Sequence, residues 1–240
     1  MLDGTMLCMW AKQIIGFMTN VSISNSILRL SEYYRRHGFE NTIRRFILAM
    51  KRKIFSDRMV VFYCDLDKRR PAPINIPNGL QVKRVQTLTA LKREYLQTII
   101  QIWNPKIAER NIMDRFDRGA SLWLVECDEQ LAGYGWTLQG KSIGQYYFPL
   151  GQNDVQFFDF YIFTRFRGRA LHWLLSSHIL YTLTSEGRSR VFADTGVWNQ
   201  AQLASFTMTQ FSILGVVKMY NIFGHGFTYW VAGDPTNIRA

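Results

Sequence analysis

Cysteine is scarce in this 240-residue chain. Its three cysteines, Cys8, Cys64 and Cys127, are odd in number and share no metal-ligand spacing. Neither a disulfide framework nor a zinc site is legible in them, and a reducing compartment is the simpler assignment. The four histidines are scattered, so no metal site is expected. Acids are short as well: 18 Asp and Glu against 29 Lys and Arg leave a formal net charge of +11 and a pI near 9.8. A surplus of that size implies an anionic partner, whether nucleic acid, an anionic membrane or a phosphorylated ligand. No helix-turn-helix, zinc spacing or stacking-aromatic motif accompanies it, so nucleic acid rests on charge alone. Uninterrupted apolar runs are missing too. The opening "MLDGTMLCMWAKQIIGFM" is broken by Asp3 and Lys12, lacks the basic start of a signal peptide and is too short to span a bilayer cleanly.

What the chain does have is core material: 48% hydrophobic and 15% aromatic residues, which excludes disorder. The expected division is a helical extension with one strand over residues 1–70, a linker over 71–79 and a main domain over 80–240. The linker carries three of the six prolines, in "RRPAPINIPNG". In the extension, Ser24 or Ser26 caps a helix with Ile27, Leu30 and Tyr34 on one face. Asn41 caps a second, with Ile43, Phe46, Ile47, Met50 and Ile54 at helical spacing. Residues 29–58 hold nine Lys or Arg, suited either to an anionic membrane surface or to a solvated helical face. The apolar N-terminus equally suits a homodimer contact. "MVVFYCDL", Met59–Leu66, reads as a strand.

From Leu80 the pattern is regular. A strand "LQVKRV" precedes a helix over about 89–103, Pro105 opens a second helix, and two strands meet at a tight turn at Asp128–Gln130. "IGQYYFPLGQND" extends a strand before turning, and Gln156–Phe163 is the next strand. A long helix runs to Glu186 and stops at Gly187. "RVFADT" is a short strand, Asn199 opens another helix, and two strands close the chain. The order β-α-α-β-β-β-α-β-α-β-β implies an α/β (α+β) mixed sheet with helices on both faces.

One junction carries chemistry. In "FFDFYIFTRFRGRALHWLLSSHIL" a strand runs into a helix through Arg165, Arg167, Gly168 and Arg169. A helix N-terminus is already electropositive, so three arginines there call for a docked anion, the alternative being a surface helix start with solvated arginines. Strand, glycine turn and helix start together make a phosphate cradle, and Gly168 lets backbone approach the ligand. The spacing fits neither a P-loop nor a dinucleotide-binding turn.

The run Arg165-Phe-Arg-Gly168-Arg-Ala170 resembles the R/Q-x-x-G-x-G/A turn of the GNAT family of N-acetyltransferases. The element order matches that family over about Leu80 to Ala232. The basic extension ending in "VVFYCDLD" is similar to acetyltransferases of bacterial polysaccharide gene sets. The resemblance implies a mostly antiparallel sheet and acetyl-CoA as acyl donor. Its pantetheine arm would lie along Phe160, Tyr161 and Ile162, and its pyrophosphate on Arg165, Arg167, Gly168, Arg169 and Ala170. It also implies a cofactor contact for Asn199, which alternatively is a plain helix N-cap. The family often has a tyrosine acid seven residues later; here Phe206 stands there, which cannot donate a proton but can line the pantetheine channel.

A base is still needed to deprotonate an incoming ammonium. Asp159 is the first candidate: strict alternation puts it with Phe157, Tyr161 and Phe163, and a carboxylate among rings has a raised pKa. A bulge would instead turn it away, and the plainer alternative is an acid that pairs with a nearby arginine or binds backbone amides. Glu126 is the second candidate. The reading is an acetyl-CoA-dependent N-acyltransferase working in a ternary complex on a small-molecule or lipid-linked amine, in particular an amino sugar for surface polysaccharide. It would be cytoplasmic, at or near the inner membrane face. The alternative is a non-catalytic protein of the same fold that holds anionic membrane or nucleic acid.

Overall fold

A computed structural model of the protein describes residues 34, 35, 38–44, 47, 58–103, 105–144, 146–222 and 225–233. Residues 38–44 are helical, so Asn41 sits inside a helix instead of capping one, and Thr42 Oγ1 donates to the Gly38 carbonyl at 2.7 Å. The expected caps Ser24 and Ser26, and the apolar opening segment, lie outside the described residues.

Among the described residues the strands are β1 (Arg58–Asp65), β2 (Leu80–Val85), β3 (Ser121–Cys127), β4 (Gln130–Gln139), β5 (Asp154–Ile162), β6 (Arg190–Gly196), β7 (Ser212–Ile222) and β8 (His225–Gly233). The helices are α1 (Leu66–Arg69), α2 (Arg93–Ile100), α3 (Pro105–Asp117), α4 (Leu171–Ser185) and α5 (Gln200–Thr207). From Leu80 onward this is the order expected from the sequence. All eight strands form one sheet, β2-β3-β4-β5-β6-β1-β7-β8, in which only β5 and β6 run parallel. The fold is therefore mixed α/β with a mostly antiparallel sheet.

Local chemistry explains the joints. The β3–β4 turn uses Asp128 and Glu129, both at positive φ, the backbone that a two-residue hairpin requires. Gly187, at φ 72°, follows the end of α4, where a left-handed residue costs glycine nothing. Asn199 caps α5, its side chain accepting from the Gln202 amide at 3.3 Å.

One expectation changes at the N-terminal side. β1, read as part of the extension, is an interior strand of the same sheet. It pairs with β6 from Met59↔Gly196 to Asp65↔Arg190, and with β7 along its other edge. Both of its faces are covered, which is why its sequence is a nearly continuous apolar run instead of an alternating one.

The two faces of the sheet bury different elements. On one, α4 lays Leu171, Leu174, Leu175, Ile179, Leu180 and Leu183 over Val60, Phe62, Phe157, Val191 and Ala193. Burying each of those leucines and the isoleucine contributes about 2 kcal/mol. On the other, α2 and α3 cover Leu122, Leu124, Tyr134, Trp136 and Leu138. The rest of that face, over β6, β1 and β7, is covered by Tyr146, Tyr147, Phe148 and Leu150. These come from the segment expected to extend a strand. It is a loop, because Pro149 removes a ladder donor and the aromatic run turns down onto the sheet.

Candidate active site

β5 and β6 form a V. They pair from Asp154↔Arg190 to Phe157↔Ala193 and then part, leaving the second half of each without the other. The closed end is pinned by Arg190, whose Nε and Nη2 reach the two oxygens of buried Asp154 at 2.8 and 3.0 Å. A two-pronged pair of this kind is directional as well as strong. An open groove of about 480 Å³ lined by Asp65, Asp67, Lys68, Gly151 and Asp154 also lies at this closed end. It is remote from the opening.

The opening begins at a bulge. The β4–β5 register shifts between Tyr134↔Tyr161 and Trp136↔Phe158, and Asp159 sits there at φ 52°. A bulge adds one residue and breaks the alternation. As a result Phe157 and Phe160 stack on each other at 5.0 Å on the α4 face, while Phe158 and Tyr161 join the α2–α3 face. Gly135 and Gly133 of β4 make this possible: a Cβ at Gly135 would lie 2.4 Å from the Phe160 ring, and one at Gly133 would lie 2.5 Å from Ile162. Asp159 therefore does not share a face with Phe157 as alternation predicts. It points toward α3 and pairs with the Arg115 guanidinium. That cation also lies over the rings of Trp136 and Phe158, at 5.1 and 5.3 Å.

A cavity of about 190 Å³ opens beside this pair. Ile99, Trp103, Ile107, Ala108 and Ile112 supply apolar walls, and Asn111, Arg115, Tyr134 and Asp159 supply polar ones. Trp103 is 47% exposed at its rim and donates to the Tyr134 hydroxyl at 3.3 Å. Burial, then the Asp159 charge, raises the Tyr134 hydroxyl pKa, so it stays protonated at neutral pH.

Past β5 lies the arginine turn. Thr164–Phe166 is a single 3-10 turn, Gly168 is at φ 80° and Ala170 at φ 54°, and α4 begins at Leu171 with no side chain capping it. Its first amides are therefore free for an anion. A Cβ at Gly168 would meet no atom within 4 Å, so the space above the turn is open. Arg165 and Arg169 flank the Phe166 ring at 4.6 and 5.7 Å, and Arg169 also reaches Cys127 Sγ at 3.5 Å. Arg167 folds back over Tyr161 and donates to the Ile162 carbonyl at 3.1 Å. All three are exposed, and none has an ion-pair partner among the described residues. These residues fit a pyrophosphate: free amides, uncompensated cations and open space coincide.

The remaining residues singled out by sequence divide. Asn199 stands just past the open arm of β6, capping α5. Phe206 is 4% exposed and stacks on Phe62 of β1 at 4.4 Å, with Phe211 and His172 at its edges. It is packed within the core. Glu126 is buried on β3, two strands from β5, and Lys83 Nζ holds its Oε2 at 2.7 Å. Asp159 and Glu126 are thus not brought together. The side chain that the sequence reading missed is Asp194, the first residue of β6 beyond its last pair with β5. It accepts from the Tyr147 hydroxyl at 3.0 Å, and burial raises its carboxyl pKa. The signal was an acid inside the apolar strand "VFADTG".

No family model matches the chain, and no curated protein is significantly similar to it. Solved structures do resemble it. A GNAT-family protein from Novosphingobium aromaticivorans is 12% identical over 66% of this chain and 60% of its own, with a TM-score of 0.45. A tandem GNAT protein from the clavulanic acid biosynthesis pathway is 16% identical over 75% and 55%, with a TM-score of 0.48. A GNAT-family acetyltransferase from Colwellia psychrerythraea is 11% identical over 65% and 52%, with a TM-score of 0.46. The chain thus spans between half and two thirds of the length of these relatives.

Proposed function

We propose that the protein is an acetyl-CoA-dependent N-acyltransferase. The observation that carries this reading is the V between β5 and β6 leading directly into an uncapped, arginine-flanked helix start. Arg165, Arg169 and the first amides of α4 would hold the pyrophosphate. The unpaired edge of β5 beyond Phe157 would hold the pantetheine arm and polarise the thioester carbonyl. Backbone donors aimed at developing negative charge are among the strongest contributors to acyl transfer. The acceptor nitrogen attacks the carbonyl carbon, a C–N bond forms, and the C–S bond breaks. The thiolate leaves with the electron pair and takes a proton from water, and the nitrogen gives up one proton to solvent as the amide forms. No tyrosine acid is needed for that, which accommodates Phe206.

The acceptor enters from the α3 face, through the cavity beside Asp159 and Arg115. A half-exposed tryptophan, an asparagine and a carboxylate–guanidinium pair around a small cavity suit an amino sugar. The indole covers the apolar face of the ring and the polar groups meet its hydroxyls. A nucleotide- or lipid-linked amino sugar made for surface polysaccharide is the acceptor we favour.

The test is thiol release from acetyl-CoA, offered with free and nucleotide-linked amino sugars and with peptide amines. Products are identified by mass. Amine-dependent release with an amino sugar, and a product heavier by one acetyl group, is the expected result. Release with peptide amines alone overturns the acceptor assignment, and no release with any amine overturns acyl transfer.

A further inference from the structure

Direct attack by an amine requires that an ammonium first lose a proton, and the acid expected to take it is occupied. Asp159 is held by Arg115, so an ammonium would have to displace a guanidinium to reach it. The opposite lip of the V carries a second acid. Register places Gln156 of β5 across from Phe192 of β6, so Phe192 and, two residues on, Asp194 lie on the same face as Phe158 and α3. Asp194 begins where the strands part, on the side from which the acceptor enters.

Its surroundings differ from those of Asp159. The titratable groups that face it are Tyr146 and Tyr147 from the 140–153 loop, and its neighbour on β1 is Val61. No cation is paired with it among the described residues. Tyr147 donates to one of its oxygens at 3.0 Å. The ring of Tyr146 lies 4.9 Å from that of Tyr147, and its buried hydroxyl has no hydrogen-bond partner among the described residues. A half-buried carboxylate and a buried hydroxyl side by side make a polar spot in an otherwise apolar cluster of Phe148, Phe192 and Trp230.

We propose that Asp194 is the base that takes the proton from the acceptor ammonium, with Tyr147 as the positioning residue that orients its carboxylate. This rests on the acyl-transfer reading. In the step, an N–H bond of the ammonium breaks, its electron pair stays on nitrogen, and an Asp194 oxygen gains the proton. The carboxyl returns its proton to solvent, the neutral amine attacks the thioester, and the nitrogen loses its second proton to solvent as the C–S bond breaks and the amide forms. Burial makes Asp194 a stronger base than an exposed aspartate, which brings proton transfer closer to balance with an amine.

Two variants test the proposal, Asp194→Asn and Tyr147→Phe, each first checked for stabilisation by acetyl-CoA. Asp194→Asn should keep that stabilisation and lose roughly 100-fold or more in amine-dependent turnover. The wild-type rate should rise with pH along an acidic limb. Tyr147→Phe should shift that limb to higher pH, because the lost hydroxyl had stabilised the charged carboxylate. A readout independent of turnover is the carboxyl-carbon NMR titration of Asp194, assigned by its loss in Asp194→Asn. The resonance should titrate above the ordinary aspartate range in wild type and higher still in Tyr147→Phe. If Asp194→Asn binds acetyl-CoA and turns over at the wild-type rate with an unchanged limb, the base assignment is overturned and acyl transfer stands. If the wild type neither binds acetyl-CoA nor acetylates any amine, both readings fall together.

Discussion

Aspartate in place of Gly168 separates a phosphate cradle from an incidental cluster of arginines. Gly168 sits at φ 80°, where a residue with a Cβ is strained by about 1 kcal/mol, and aspartate is among the residues that tolerate it best. No atom lies within 4 Å of the added Cβ, so no clash adds to that strain. The new carboxylate also lies near the uncapped start of α4, an attraction of about 0.3–1 kcal/mol. These terms nearly offset, so the unliganded variant should melt within a few degrees of wild type. Ligand binding is where the two should differ. Acetyl-CoA at a hundred times its dissociation constant stabilises the wild type by about 2.7 kcal/mol. For a chain of this size that is about 5–11 °C in Tm. In Gly168→Asp the side chain fills the open space and its charge repels a pyrophosphate, so the shift should vanish. Differential scanning fluorimetry of both proteins with and without acetyl-CoA reads this directly. Equal shifts would show that the ligand binds elsewhere, and no shift in the wild type at millimolar ligand would mean the turn is not a CoA cradle.

Two further outcomes follow from the packing. Because β1 fills the place between β6 and β7, a chain beginning at Leu80 leaves both strand edges unpaired and should fail to give a cooperative unfolding transition; a cooperative melt by circular dichroism would contradict this topology. His172, in the first turn of α4 among Phe160, Phe206 and Gln202, has its pKa lowered by burial from 6.5 to about 4. The unfolded chain binds the proton first as pH falls, so wild-type stability should drop by about 3 kcal/mol between pH 6.5 and pH 4. His172→Gln should lack that part of the acid loss; urea unfolding of both proteins across the window measures the difference, and parallel curves would refute it.

Much of the site's frame was legible because its signals are local. Pro105, Gly187 and Asn199 mark helix ends by their own backbone preferences, and Arg165–Ala170 announces an anion by charge where a helix begins. The face of Asp159 was not legible from alternation. One extra residue at a bulge reverses alternation, and that bulge is tied to the Gly133 and Gly135 surfaces of another strand. Its partner Arg115 lies 44 residues away on α3, so no window of sequence contains the pair.

Residues a few positions apart set the order of the strands and helices from Leu80 onward and the cationic turn at the start of α4, though not the loop before β5. Which strands are neighbours was set by long-range pairing. The apolar run of β1 says that both its faces are buried, but only long-range pairing sets it between β6 and β7. The same pairing parts β5 from β6 after Phe157 and Ala193, and so leaves Asp194 at the lip of the opening. A strand's hydrogen-bonding edges are alike whatever its side chains, so the choice of neighbour belongs to the packed sheet as a whole.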